Sequence, residues 1–285
     1  MVRIFDSHAH LIADDAVRYP PAPVGETLKP GDLDNPMTAE RLIREMDATK
    51  VERAVVVQRA SIYGHDNSYI CDSVAKYPER LVAVCAIDAD STKGPDQARH
   101  WVEERGAAGV RVMELVKGSD ISWLYSPLAM ATWRAVNRMK VPFCVHFFPW
   151  NRVAGLTALK TILDELPDTI LVVDHFSNMN SKAGPPDFGM DDLFLALTRF
   201  PNVYTKFTTV PLGRLEEEGI DAAPIIARVV KAFGANRVMW GSDITQSKGS
   251  YEYMVKLGHR ATAALSDAER EQVLYGATKA VYGHR

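Results

Sequence analysis

The segment "FDSHAH", Phe5–His10, sets Asp6, His8 and His10 at alternating positions behind the apolar start of the chain. On a helix, residues two apart fall on different sides; on an extended strand they project from one face. The pattern predicts a first strand at Val2–Phe5 that delivers two imidazoles side by side at its C-terminal end. Two such groups gain a purpose if other strand ends carry matching ones.

Seven further apolar, β-branched runs follow: Ala54–Gln58, Leu81–Ile87, Gly109–Met113, Pro142–His146, Ile170–Asp174, Val203–Phe207 and Arg237–Gly241. Continuous rather than alternating hydrophobicity suits parallel strands covered on both faces. Amphipathic helical segments lie between them. One follows Thr38 as N-cap, and another starts at Ser126 with Pro127 in the first helical position. Two more are predicted at "DAAPIIARVVKAF" and "SDAEREQVLYGATKAVY". Eight strand–helix alternations without internal repeats predict an α/β chain folded as a single-domain (β/α)8 TIM barrel over residues 1–285. A doubly wound open sheet is the alternative, but no glycine-rich phosphate turn follows the first strand.

The bulk properties agree. The chain has 285 residues, 47% of them hydrophobic, and a formal net charge of -3 with both signs interspersed, which leaves no basic stripe for nucleic acid. No apolar run is long enough to span a bilayer, and no signal-peptide core stands at the start. Cys71, Cys85 and Cys144 form no C-x-x-C pair, so a reduced, soluble, cytoplasmic protein is expected. Self-association is compatible with the sequence.

Three connections are long and rich in Pro, Gly and Asp: Leu11–Met37, Ser177–Asp191 and Thr208–Gly219. Each follows a strand and is expected on the face where barrel active sites form, with residues 11–37 as a lid or an ordered surface loop. His146 ends the fifth strand, His175 follows the sixth, and Asp243 stands two residues beyond the eighth. With His8 and His10, these groups are expected to converge at one mouth. Imidazole and carboxylate together suit zinc, manganese or a related divalent ion.

The stretches "FDSHAH", "VDH", "NVYTKF" and "FGANRVMWGSD" resemble the amidohydrolase superfamily, in its amidohydrolase-related branch. The resemblance runs from Arg3 to about Gly283 and is nearest to lactonase-like members, of the 2-pyrone-4,6-dicarboxylate and sugar-acid lactonase type. It implies His8, His10, His146 and Asp243 as ligands of one divalent metal ion, zinc or manganese. His175 is then a base or an orienter of the hydrolytic water, and Asp243 doubles as its proton acceptor. Some lactonase relatives use the same residues without a metal. Strand four carries Arg111, Met113 and Glu114 but no lysine where two-metal members have one, so a single ion is implied, with Glu114 the residue that could bridge a second. Where relatives read "GSDWP" this chain reads "GSDITQ", which changes the pocket floor beside Asp243.

For the substrate, Arg111 lies inside an otherwise apolar strand, and a buried guanidinium needs an anion. A substrate carboxylate is the expected partner; an ion pair with Glu114 or Asp88 is the structural alternative. Gln58, Arg59, Tyr63 and Asn67 follow strand two in a pattern similar to that of the lactonase relatives and are expected to line the pocket. Lys206 faces either the interior or solvent. Cys144, Trp123 and Trp133 read as packing, Trp150 as packing or pocket wall, and His65, His100, His259 and His284 as surface residues. The expected function is hydrolysis of a lactone, or less readily an amide, of a small anionic substrate. A non-oxidative decarboxylase or hydratase is the alternative, but many decarboxylase relatives begin Glu-x-His where this chain has His-x-His. A non-catalytic binding barrel is the alternative from another class, and turnover of any lactone separates it.

Overall fold

The computed structural model describes residues 2–24, 28–114, 117–118 and 120–284. Eight apolar segments form β1 Phe5–Ala9, β2 Arg53–Val57, β3 Leu81–Ala86, β4 Gly109–Met113, β5 Phe143–His146, β6 Leu171–Val173, β7 Val203–Thr208 and β8 Val238–Gly241. All pair in parallel in chain order, in registers such as Val110↔Phe143 and Leu171↔Val203. With helices between the strands, the chain is a single-domain (β/α)8 barrel. Residues 1, 25–27, 115–116, 119 and 285 lie outside the described residues, so part of the expected lid does too.

Local chemistry explains where the helices begin. Thr38 accepts from the Arg41 N–H at 3.2 Å ahead of the helix Ala39–Thr49. Ser126 accepts from the Ala129 N–H at 3.0 Å ahead of Pro127–Met139. Each hydroxyl satisfies a backbone donor that the first helical turn leaves open. The last helical stretch opens on a capping box between Ser266 and Glu269.

Two expectations are corrected. The first strand is Phe5–Ala9 rather than Val2–Phe5. Asp6 and His8 lie within the strand rather than at its end, because a barrel strand can turn polar side chains into a functional mouth while keeping its ladder. Thr208–Gly219 is not an irregular connection: it holds the helix Thr209–Glu217. Pro211 lies in that helix's first turn, where no intrahelical N–H bond is lost.

The seam between β8 and β1 is held by hydrogen bonds around one carboxylate. Asp6, fully buried, accepts from the His8 N–H and the Ser242 N–H at 2.9 Å each and from the Tyr251 hydroxyl at 2.9 Å. The Asp243 N–H donates to the His8 carbonyl at 2.6 Å. The strands approach so closely that a Cβ on Gly241 would stand 2.5 Å from the His8 Cβ. Glycine is needed there for approach rather than for its dihedral freedom. Below the seam, Phe5, Val55, Val82, Val84, Val172 and Met239 fill the barrel with Tyr275 and Tyr282 from the C-terminal helical segment.

Asp6→Asn keeps one acceptor oxygen for the two backbone N–H groups but turns the other into a donor facing the Tyr251 hydroxyl, and it removes the charge that strengthens all three bonds. Unmet buried donors cost about 1–3 kcal/mol each, so the variant is expected to lose about 2–4 kcal/mol. A urea midpoint unchanged from wild type would show that the seam does not depend on this carboxylate.

Candidate active site

The C-terminal ends of the strands surround a cavity of about 710 Å³, a size suited to a small organic substrate. His10, His146, His175 and Asp243 line it, as do Gln58, Arg59 and Arg111. All three long connections contribute: Lys29 and Asp32 from the first, Asn178 from the second, Val210 and Arg214 from the third. Trp150 forms part of the wall, half exposed, with its indole N–H donating to Glu114.

His8 lies beneath, fully buried, with its ring centroid 4.9 Å from that of His10 and 5.0 Å from that of His175. The His8 and His10 Nε2 atoms stand 3.8 and 3.2 Å from Asp243 Oδ1. Ligand atoms of His8, His10 and Asp243 lie within 4.8 Å of one another. The fit to a divalent ion is supported by the polar atoms involved: both His8 ring nitrogens and Asp243 Oδ1 are buried without a hydrogen-bond partner. His10 Nδ1 is bonded to the Val57 carbonyl at 2.7 Å, so it carries the proton and leaves the Nε2 lone pair open to a cation.

Three of the four expected ligands thus form a compact group. His146 stands apart from it, with its ring 4.9 Å from that of His175. It arrives from β5, across the barrel from β1. Burial holds His8 and His146 well below the ordinary imidazole range and lowers His175 as well, which favours the neutral rings that ligation or proton acceptance needs. Burial would raise the Asp243 carboxyl, but its proximity to the His10, His175 and His8 rings holds it below the usual range.

Backbone strain marks the same residues. His175 to Asn178 all have φ between 49° and 54°, and Asp243 has φ 54°. Left-handed conformations cost non-glycine residues about 1–2 kcal/mol each, and such strain concentrates where side chains must be aimed. The His175 ring is fixed by a 2.7 Å hydrogen bond between its Nδ1 and the Thr208 hydroxyl.

Sequence reasoning left three side chains without a role or a clear direction. Asp174 is fully buried, and its Oδ2 accepts from Arg111 Nε at 2.8 Å. Lys206 is likewise fully buried, with Nζ 3.5 Å from Asp174 Oδ1. Thr208 orients His175. The signal for Asp174 lay in "VDH", where it reads as the strand's last residue; Lys206 needed the register of β7 to choose its side.

Several expected partners are different. Arg111 is paired with Asp174 rather than with Glu114 or Asp88, and it also lines the cavity. Glu114 takes donors from Gly118, Trp150 and Asn151 and lies outside the His8, His10 and Asp243 group, so it is not placed as a bridge. Tyr63 and Asn67 are not cavity residues. The Tyr63 hydroxyl accepts from the Ala13 N–H, and the Asn67 side chain bonds His65 and both backbone groups of Ala86. Their polarity satisfies loop backbone that burial would otherwise strand. Of the four histidines expected at the surface, His284 is exposed, while His65, His100 and His259 are half-buried away from the cavity.

A parallel barrel with this polar cluster at its C-terminal mouth defines an enzyme. The profile of the amidohydrolase family matches residues 5–284, and the chain belongs to that family. The 4-sulfomuconolactone hydrolase of Hydrogenophaga intermedia is 28% identical over 246 residues, covering 84% of this chain and 73% of that protein. The L-fucono-1,5-lactonase of Burkholderia ambifaria is 25% identical over 198 residues, covering 68% of this chain and 64% of that protein. A probable 2-pyrone-4,6-dicarboxylic acid hydrolase from Acinetobacter baumannii, solved with citric acid bound, shares the fold at a TM-score of 0.76 and 20% identity over 99% of both chains. A dihydroxybenzoic acid decarboxylase from Polaromonas, solved with manganese, shares it at a TM-score of 0.69 and 15% identity, covering 100% of this chain and 98% of that one.

His10→Ala removes one donor of the His8, His10 and Asp243 cluster and is expected to lower divalent-ion retention through dialysis well below that of wild type. Elemental analysis for zinc and manganese checks this. Equal metal content in a folded variant would place the ion elsewhere.

Proposed function

We propose that this enzyme hydrolyses a lactone of a small carboxylated molecule. The observation that carries the reading is the sharing of one cavity by the His10 and Asp243 groups and the Arg111 guanidinium. One side offers hydrolytic chemistry and the other an anchor for an anion. The two relatives named above act on lactones by their names, which supports a ring ester as the bond attacked.

A divalent ion held by His8, His10 and Asp243, with His146 as a further donor from the opposite wall, would polarise a carbonyl and acidify water when bound. Zinc or manganese suits this donor set. The chain's own groups supply the remaining chemistry. Asp243, ionised and facing the cavity, accepts a proton from the attacking water, and His175 orients that water or takes the proton in its place. The water oxygen bonds to the carbonyl carbon, the ring C–O bond breaks, and the departing ring oxygen recovers the proton from the same acceptor. Arg111 and Arg59 hold the substrate's carboxylate, with Gln58 beside them. If activity persists in full after chelation, the same residues act as polar catalysts without an ion.

A panel of lactones, run with metal-stripped and metal-replete protein, tests the reaction class: no turnover on any of them removes the reading. Arg111→Lys tests recognition. Lysine keeps the charge but loses the planar two-point grip, so kcat/KM for an acidic lactone is expected to fall by about 2–3 kcal/mol, or about 30- to 150-fold. The methyl ester of the same lactone should lose much less. Equal losses on acid and ester would confine Arg111 to holding Asp174.

A further inference from the structure

The layer of the barrel directly beneath the site is not built as an ordinary barrel interior. Such layers are commonly filled by branched aliphatic side chains. Here His8, Asp174 and Lys206 are fully buried and Arg111 nearly so. His8 Nδ1, Asp174 Oδ1 and Lys206 Nζ have no hydrogen-bond partner, yet they face one another, with Asp174 Oδ1 3.6 Å from His8 Nδ1 and 3.5 Å from Lys206 Nζ. The other Asp174 oxygen takes the Arg111 Nε.

A purely structural role explains this poorly. Well-packed apolar residues usually match or exceed a buried ion pair in stability, and here two cations share a single carboxylate. A second cation site is also disfavoured. Ligand atoms of His8, Asp174 and His175 do lie within 4.8 Å of one another, but an ion there would meet the Lys206 and Arg111 charges on the same carboxylate. Those two cations instead commit Asp174 to act as an acceptor. The donor it faces without hindrance is His8 Nδ1, while His8 Nε2 faces Asp243 on the opposite side of the ring.

We infer that Asp174 and Lys206 are positioning residues for the metal centre. Lys206 and Arg111 clamp the Asp174 carboxylate under His8, Asp174 keeps the His8 proton on Nδ1, and Nε2 is thereby turned to the ion. The inference rests on the metal-binding part of the proposed function and not on lactone hydrolysis. Partners that fix a ligand histidine's tautomer commonly change metal affinity by about 10- to 100-fold.

Two measurements on the whole protein test it, neither of which uses turnover. In stripped protein with 15N-labelled histidine, wild-type His8 is expected to show a protonated Nδ1 and a bare Nε2. A protonated Nε2 there overturns the inference without any variant. In competition with a chromophoric chelator, Zn2+ should bind Asp174→Asn about 10- to 100-fold more weakly than wild type, with mixed His8 tautomers. Lys206→Met should shift both readouts in the same direction. A folded Asp174→Asn that binds Zn2+ as wild type does, with His8 unchanged, overturns the assignment of Asp174; the same result for Lys206→Met overturns that of Lys206. Should Lys206→Met fail to fold, Lys206→Gln, neutral but still a donor to Asp174, is measured instead. There weakened Zn2+ binding supports the charge clamp and wild-type binding overturns it. Wild type that takes up no Zn2+ overturns the metal reading itself.

Discussion

The Asp6 carboxylate accepts the backbone N–H of His8 on the first strand and of Ser242 beyond the last, and so draws the two ends of the sheet together. His8 and Asp243 reach the same spot because their backbones are joined there, with the Asp243 N–H on the His8 carbonyl. Gly241 allows the approach, since any side chain would occupy the space of the His8 Cβ. Closure of the barrel and assembly of the site are one event.

From that seam the interior is ordered by polarity. Apolar side chains and the two C-terminal tyrosines fill the barrel toward the strand starts. Above them sit Arg111, Asp174, Lys206 and His8, and above those the cavity-lining His10, His146, His175 and Asp243. Charge is tolerated at the middle level because Asp174 is held far below its ordinary range by Lys206 and Arg111 against the opposing effect of burial. At the upper level burial lowers His146 and His175, which favours their neutral form, while the facing rings hold Asp243 below its usual range against burial. Both shifts are downward, which leaves uncharged imidazoles beside an ionised carboxylate, the combination that proton transfer and ligation require.

The cavity walls come largely from connections. Lys29, Asp32 and Arg214 arrive on loops or on the helix after β7, whereas the ligand group arrives on strand ends.

The sequence by itself determined the barrel and most of the histidine and aspartate cluster at its mouth. Parallel strands buried on both faces must be continuously apolar, so the eight runs were visible, and His8, His10, His146, His175 and Asp243 stood out as polar residues at their ends. What it could not determine was direction and partnership. Lys206 reads equally well inward or outward until pairing with β6 and β8 fixes its face. Asp174 looked like the end of a strand, and Arg111 like a cation awaiting a substrate, because their bond spans 63 residues and no local pattern encodes it. Tyr63 and Asn67 followed a pocket-like motif but were claimed by buried backbone. Local periodicity records which residues are apolar; only the closed tertiary structure decides which polar groups meet, because buried polar atoms are satisfied by neighbours distant in sequence.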